Sequence, residues 1–161
     1  MVKWRSPKSG DREVEVDIPA GVDSGMNLRL DGQGEPGEGG PGSLFLVISV
    51  TEHDIFERDR NDLHVKVRLN IAEAILGSSI VVPTLDGEVT LKVPAGTQSG
   101  DRRVMQGKGI QASGRRAGNQ YVHFEVTIPK RISKQQAKLI EEFGAEEPAM
   151  DVETRTSRRV Q

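Results

Sequence analysis

Val16-Asp17-Ile18-Pro19-Ala20-Gly21-Val22-Asp23-Ser24-Gly25 and Leu91-Lys92-Val93-Pro94-Ala95-Gly96-Thr97-Gln98-Ser99-Gly100 are two versions of one phrase, set 75 positions apart. The first runs on to Gly32-Gln33-Gly34 and the second to Gly107-Lys108-Gly109. Each then leads to an apolar strand, Leu44 to Val50 and Tyr121 to Ile128. Proline fixes φ and glycine supplies turn conformations that other residues resist, so Pro-Ala-Gly-x-x-Ser-Gly ends one strand, turns the chain and starts another. A duplicated strand-turn-strand unit of this size predicts two similar β-domains in tandem. It also places function on β-surfaces rather than in a single enzymatic pocket.

Working outward, residues 1–10 show no period and read as a loose lead-in. Glu13 to Ile18 alternates acidic and apolar residues, which predicts a strand with Val14, Val16 and Ile18 inward. Met26 to Leu30 alternates again, and Asp31 to Gly42, with six glycines and two prolines, reads as a mobile surface loop. Leu44 to Val50 is apolar on both faces, whereas Tyr121 to Ile128 puts Val122, Phe124, Val126 and Ile128 on one side. Either the first strand is covered on both faces, or its second face lines an apolar groove. A polar link from His53 to Asp59 precedes a strand from Leu63 to Leu69. Ile71 to Leu76 is a short helix with Gly77 as an αL stop. Ser79 to Val82, Glu88 to Val93 and Arg102 to Met105 complete the second strand set, with a tight turn at Leu85-Asp86-Gly87.

Ser133-Lys134-Gln135-Gln136 fits a capping box that opens a helix. Ala137, Ile140 and Phe143, with Leu139 beside them, form its apolar stripe, and Gly144 is its expected end. About three turns of helix persist only when docked, on the same chain or on another copy. Residues 145–161 are polar and aperiodic, the pattern of a disordered tail.

Composition narrows the possible functions. The 161 residues contain no cysteine, which excludes a disulfide framework and a thiolate metal site. A net charge of −2 and an aromatic content of 4% argue against nucleic acid and anionic membranes as partners. No apolar run approaches a membrane span, so an intracellular soluble protein is expected. The glycine-rich loop 32–42 lacks a Gly-Lys-Ser/Thr ending and precedes a strand, unlike a phosphate loop. His53, His64 and His123 have no metal-ligand spacing, and no serine sits in a nucleophile elbow. Neither catalysis nor a cofactor is expected. Arg102, Arg103, Lys108, Arg115 and Arg116 form a basic group that reads as a solvated hairpin end or, alternatively, as a contact for nucleic acid or an acidic peptide.

One family shares these motifs in order. His53-x-x-Phe56-x-Arg58-Asp59-x-x-Asp62-Leu63, Ala74-x-Leu76-Gly77, Val82-Pro83-Thr84-Leu85-Asp86-Gly87, Pro94 to Gly100 and Gly107-Lys108-Gly109 resemble the C-terminal region of DnaJ-type co-chaperones. The resemblance covers about residues 12–143, and Val126-Thr127-Ile128-Pro129-Lys130-Arg131-Ile132 with Gln135-Gln136 is especially similar to the mitochondrial branch. It implies an all-β chain of two tandem sandwich-like β-domains, with a short helix in the second and a C-terminal dimerisation helix. The expected boundaries are a lead-in at 1–11, a truncated first domain at 12–58, a second at 59–131, the helix at 132–144 and the tail at 145–161.

The resemblance further implies a module that holds unfolded client polypeptides for a DnaK-type ATPase chaperone. Clients add as a strand, and an apolar pocket selects hydrophobic segments. Val14 and Leu46 match pocket-lining positions, with Val16, Leu44 and Ile48 completing the expected peptide-binding set. Leu139, Ile140 and Phe143 are the expected homodimer contacts, and the arginines and lysine of 102–116 the expected contacts with the partner chaperone. Cytosol or mitochondrial matrix is the expected compartment.

Departures are also visible. The chain has no His-Pro-Asp signature and none of the family's zinc-binding cysteine repeats. The strands that open the first domain are expected to be missing as well, which predicts an incomplete groove, and without His-Pro-Asp no ATPase stimulation is expected. Arg60 and Ser78 stand where glycines are usual, and Gly118-Asn119-Gln120 replaces Gly-Asp-Leu. A spacer and dimerisation module without client binding is the alternative.

Overall fold

The computed structural model describes residues 2–6 and 10–146. In chain order the first strands are β1 (Val2–Ser6), β2 (Gly10–Val14), β3 (Asn27–Leu30), β4 (Pro36–Gly37), β5 (Gly40–Pro41) and β6 (Leu44–Val47). Then come β7 (Glu57–Asp59), β8 (Asp62–Asn70), helix α1 (Ile71–Leu76), β9 (Ser78–Thr84), β10 (Gly87–Val93), β11 (Arg102–Met105) and β12 (Gln120–Thr127). Helix α2 (Lys134–Glu146) follows. The all-β class with a short helix holds. Of the described residues, those up to Thr127 make one compact unit and those from Ile128 to Glu146 fall in another.

The longest alternating segments form the centre of the first unit. β8 and β12 run parallel, paired from Leu63↔Gln120 to Asn70↔Thr127. β11 lies antiparallel on the outer edge of β12 and β7 on that of β8, giving the order β11-β12-β8-β7. Period-2 alternation sends Val65, Leu69, Val122 and Phe124 to one face. The β9–β10 hairpin meets them with Val82 and Val93, so one sheet stacks on another in a sandwich-like core. Each such side chain, fully buried, contributes about 1.5–3 kcal/mol. Between Thr84 and Gly87 the hairpin turns on Leu85 and Asp86, and the Thr84 hydroxyl ties the loop by donating to the Gly87 carbonyl at 2.7 Å.

α1 is anchored by a reciprocal cap that the sequence reading missed. The Asn70 side chain accepts from the Glu73 N–H and the Glu73 carboxylate accepts from the Asn70 N–H, both at 2.9 Å. Gly77 does stop the helix, but at φ 77° and ψ 160° it is no αL cap. A Cβ there would sit 2.9 Å from Val93 O and Ala95 N, so close backbone approach requires the glycine.

Before residue 57 the architecture thins to two-stranded ladders, β1–β2, β3–β6 and β4–β5. Among the described residues no apolar side chain here is fully buried, although Phe56 packs against the core; Val14, Val16, Leu28, Leu30, Leu44, Leu46 and Ile48 are half-buried. Three expectations need correction. The supposed loose lead-in supplies β1, which pairs with β2 from Val2↔Val14 to Ser6↔Gly10 through backbone bonds that need no side-chain period. That strand ends at Val14 rather than Ile18, and Ile18 is 52% exposed. The glycine-rich loop holds the small β4–β5 ladder.

α2 begins as expected. Ser133 N–H donates to Gln136 Oε1 at 2.9 Å and the Gln136 N–H donates to Ser133 Oγ at 3.1 Å. The helix continues through Gly144 to Glu146, since one exposed glycine costs only about 1 kcal/mol relative to alanine. The expected tail beyond residue 146 lies outside the described residues.

Candidate functional site

The duplication extends to individual hydrogen bonds. In the first copy Gly25 N–H donates to Ile48 O and Ile48 N–H donates to Met26 O, both at 2.8 Å. In the second, Gly100 N–H donates to Phe124 O and Phe124 N–H to Asp101 O, again at 2.8 Å. Two residues thus face one in both copies, which is a β-bulge at the same place. The serine of each phrase latches the following strand: Val50 N–H donates to Ser24 Oγ at 2.8 Å and Val126 N–H to Ser99 Oγ at 3.2 Å. Ile48 and Phe124 are therefore equivalent, and β6 is the counterpart of β12.

The copies part company on the far edge of that strand. β12 is paired on both sides, by β11 and β8, whereas among the described residues β6 pairs with β3 alone. Backbone groups alternate in direction along a strand. Ile48 turns its N–H and C=O toward β3, so Leu46 and Leu44 do too, and Phe45 and Val47 turn theirs to the unpaired side. Their side chains are the exposed ones, at 61% and 72%. Unpaired strand edges are templates for another strand.

The predicted peptide-binding residues fall into two groups. Leu44 and Leu46 share one face of the β3–β6 ladder with Leu30 and Leu28, their cross-strand partners, and Ile48 continues the row. Val14 and Val16 lie at the end of β2 and just beyond it, on a different ladder. Phe45 and Val47, absent from the predicted set, present the open edge. A strand apolar on both faces carries no signal of which face is covered.

The predicted basic group is not one surface. Arg102 pairs with His123 and Arg103 with Val122, so the two guanidinium groups leave β11 on opposite faces. Arg102 lies 5.5 Å from the centre of the Tyr121 ring, and Arg103 lines a cleft of about 370 Å³ with Leu91, Lys92, Pro94 and Val104. Lys108 pairs with Asp86 at 3.1 Å, while Arg115 and Arg116 are exposed in the 111–117 loop. Leu139, Ile140 and Phe143 on α2 are all about half-exposed, at 58, 52 and 49%.

On the outer face of the four-stranded sheet His64 Nδ1 faces His123 Nε2 at 2.9 Å, with Tyr121 stacked on His64 at 5.1 Å. Burial first, then His64, Arg102 and Lys66, hold His123 below its ordinary value of 6.5, with Glu57 opposing. In the first copy Ser43 and Arg29, both hydrogen-bonded to Asp31, hold that carboxyl below its ordinary 3.8. Among the described residues no three side chains gather as a metal site. No described helix is long and apolar enough to cross a membrane.

The sequence pattern of the DnaJ C terminal domain matches residues 2–129. The chain belongs to that family. It is 45% identical over 135 residues to the chaperone protein DnaJ of Geobacillus kaustophilus, covering 82% of this chain and 35% of the relative. The Bacillus licheniformis DnaJ is 46% identical over 136 residues (83% and 36%), and that of Acetobacter pasteurianus 46% over 140 (84% and 37%). The chain thus spans little more than a third of the length of these curated relatives, which are bacterial. The DnaJ family is one of co-chaperones, not enzymes.

The family departures have physical readings. Arg60 has positive φ, 56°, in the two-residue connection between Asp59 and Asp62, which is why glycine is usual there. Gln120, in place of leucine, is fully buried, its amide donating to Pro83 O at 2.8 Å while its Oε1 has no partner. The Ser78 Oγ is likewise buried without one.

Proposed function

We propose that this chain is the polypeptide-binding part of a DnaJ-type co-chaperone, and that it holds unfolded segments at the open edge of β6 for a DnaK-type ATPase. The unpaired backbone of Phe45 and Val47 carries this reading. Main-chain hydrogen bonds accept any sequence, and the exposed Phe45 and Val47 side chains favour apolar ones. Binding of this kind is weak and sequence-tolerant, as suits transient holding. The family, one of non-enzymatic co-chaperones, supports a binding role without catalysis. The bacterial relatives favour the cytosol as its compartment.

Val47→Pro removes an edge N–H while sparing the bonds to β3. Anisotropy of a labelled apolar heptapeptide is expected to show at least tenfold weaker binding to this variant. Unchanged binding, or none to the unaltered chain, rejects the reading.

A second reading is favoured by the duplication itself. In the second copy the same edge is filled by β8, so a β8-like strand of a longer protein would fill it in the first, leaving a spacer and dimerisation module. A peptide with the alternation of residues 63–69 then outcompetes other apolar peptides. Under either reading α2 joins two copies through Leu139, Ile140 and Phe143, whose exposed stripe suits an isologous contact. Ile140→Asp with Phe143→Asp is expected to halve the mass in light scattering.

A further inference from the structure

The first Pro-Ala-Gly turn is gripped from two sides. On one side stands Arg58 of β7, its side chain only 20% exposed. Its Nη1 donates to Val22 O at 2.7 Å, its Nη2 to Gly21 O at 2.9 Å, and its Nε to Arg60 O at 2.7 Å. Asp23 Oδ2 lies 3.7 Å from Nη2. On the other side Ser113 N–H donates to Ala20 O at 3.1 Å. Gly21 meets Ala112 so closely that a Cβ would fall 2.5 Å from the alanine Cα.

The second copy holds its turn differently. There α1 accepts from it, through Gly96 N–H to Ala74 O at 2.9 Å and Thr97 N–H to Ala74 O at 3.1 Å. The second turn offers N–H groups to a helix end, while the first offers carbonyls. Two neighbouring carbonyls need a donor with a fixed fork, which guanidinium supplies and ammonium does not.

The gripped turn is continuous with the β6 site. Three residues on, Ser24 latches Val50, and Gly25 and Met26 form the bulge opposite Ile48. We propose that Arg58 is a positioning residue for the β6 edge. It pins the first turn to the β7–β8 connection, opposite the hold of Ser113 and Ala112, and so fixes the β3–β6 ladder on the second copy. For its consequence in client binding this rests on the proposed function; the clasp itself does not.

Amide hydrogen exchange on the whole chain tests it, comparing the unaltered protein with Arg58→Ala, Arg58→Lys and Gly21→Ala. Loss of hydrogen bonds to a charged group predicts about tenfold faster exchange at Ser113, Gly25 and Ile48 in Arg58→Ala. Exchange at Val65 and Val122 stays as it was. Arg58→Lys behaves like the alanine variant, and Gly21→Ala, pushing from the opposite side, has the same signature. The apolar heptapeptide leaves Arg58→Ala faster than it leaves the unaltered chain.

Unchanged exchange at Ser113, full rescue by lysine, or a loss spread equally over Val65 and Val122 overturns the clasp. Faster exchange with unaltered peptide release overturns the positioning role. A chain that binds no peptide at all sinks the proposed function instead, and the exchange pattern still decides for or against the clasp.

Discussion

The two copies of the strand-turn-strand unit share a bulge, a serine latch and a strand pair, yet one is a core and the other a set of thin ladders. The second closes its strand between two neighbours and buries Val122 at 0% and Phe124 at 2% exposure. Among the described residues the first leaves one edge of β6 unpaired and has no fully buried apolar side chain. Turn chemistry therefore fixes the backbone frame, and what packs on that frame decides whether it is scaffold or surface. A two-stranded ladder alone is marginal in water. The grip of Arg58 and the 110–118 loop on the first turn is how this ladder borrows order from its neighbour.

The sharpest test removes equivalent side chains. Phe124→Ala is expected to cost about 3–5 kcal/mol, as large-to-small changes in a packed core do. Ile48→Ala, at the matching but half-buried position, should cost about 1 kcal/mol. Urea unfolding reads both, and equal costs would erase the distinction between the copies. An effect of opposite sign is expected at Arg60, where positive φ strains an arginine. Arg60→Gly should stabilise the β7–β8 connection by about 1 kcal/mol, seen as a higher urea midpoint.

Acidity separates the copies further. His123 is held below 6.5 in the folded chain, so the unfolded chain takes up that proton first as pH falls. Stability of the second copy should drop as pH falls below about 6.5 toward the lower folded value, and His123→Gln should flatten that slope. Asp31 acts with the same sign of linkage in a lower window. Its contribution is present above 3.8 and fades as pH falls toward its depressed value. Amide protection, corrected for the intrinsic pH dependence of exchange, should therefore weaken in the second copy as pH falls below 6.5, while β3 and β6 keep theirs until pH falls below 3.8.

Much of this comparison was legible in the sequence, because turn residues and alternation are local. The repeat, β8 to β12, the 85–87 turn and the Ser133–Gln136 cap all followed from short windows. The rest depends on partners distant along the chain. Nothing near Arg58 says that its acceptors are the carbonyls of Gly21 and Val22. Nothing in Leu44 to Val50 says which face is covered, since both are apolar, and so Phe45 and Val47 escaped notice. The β1–β2 hairpin was missed because backbone pairing there imposes no side-chain period.

The central claim is that the β6 edge receives an extended segment, and backbone amides report it directly. A nitrogen-15 spectrum with added apolar heptapeptide should shift the Phe45 and Val47 amides and slow their exchange, leaving Tyr121 and His123, already bonded to β8, unmoved. Shifts confined to the cleft at Leu91 and Val104, or none at Phe45 and Val47, would contradict it.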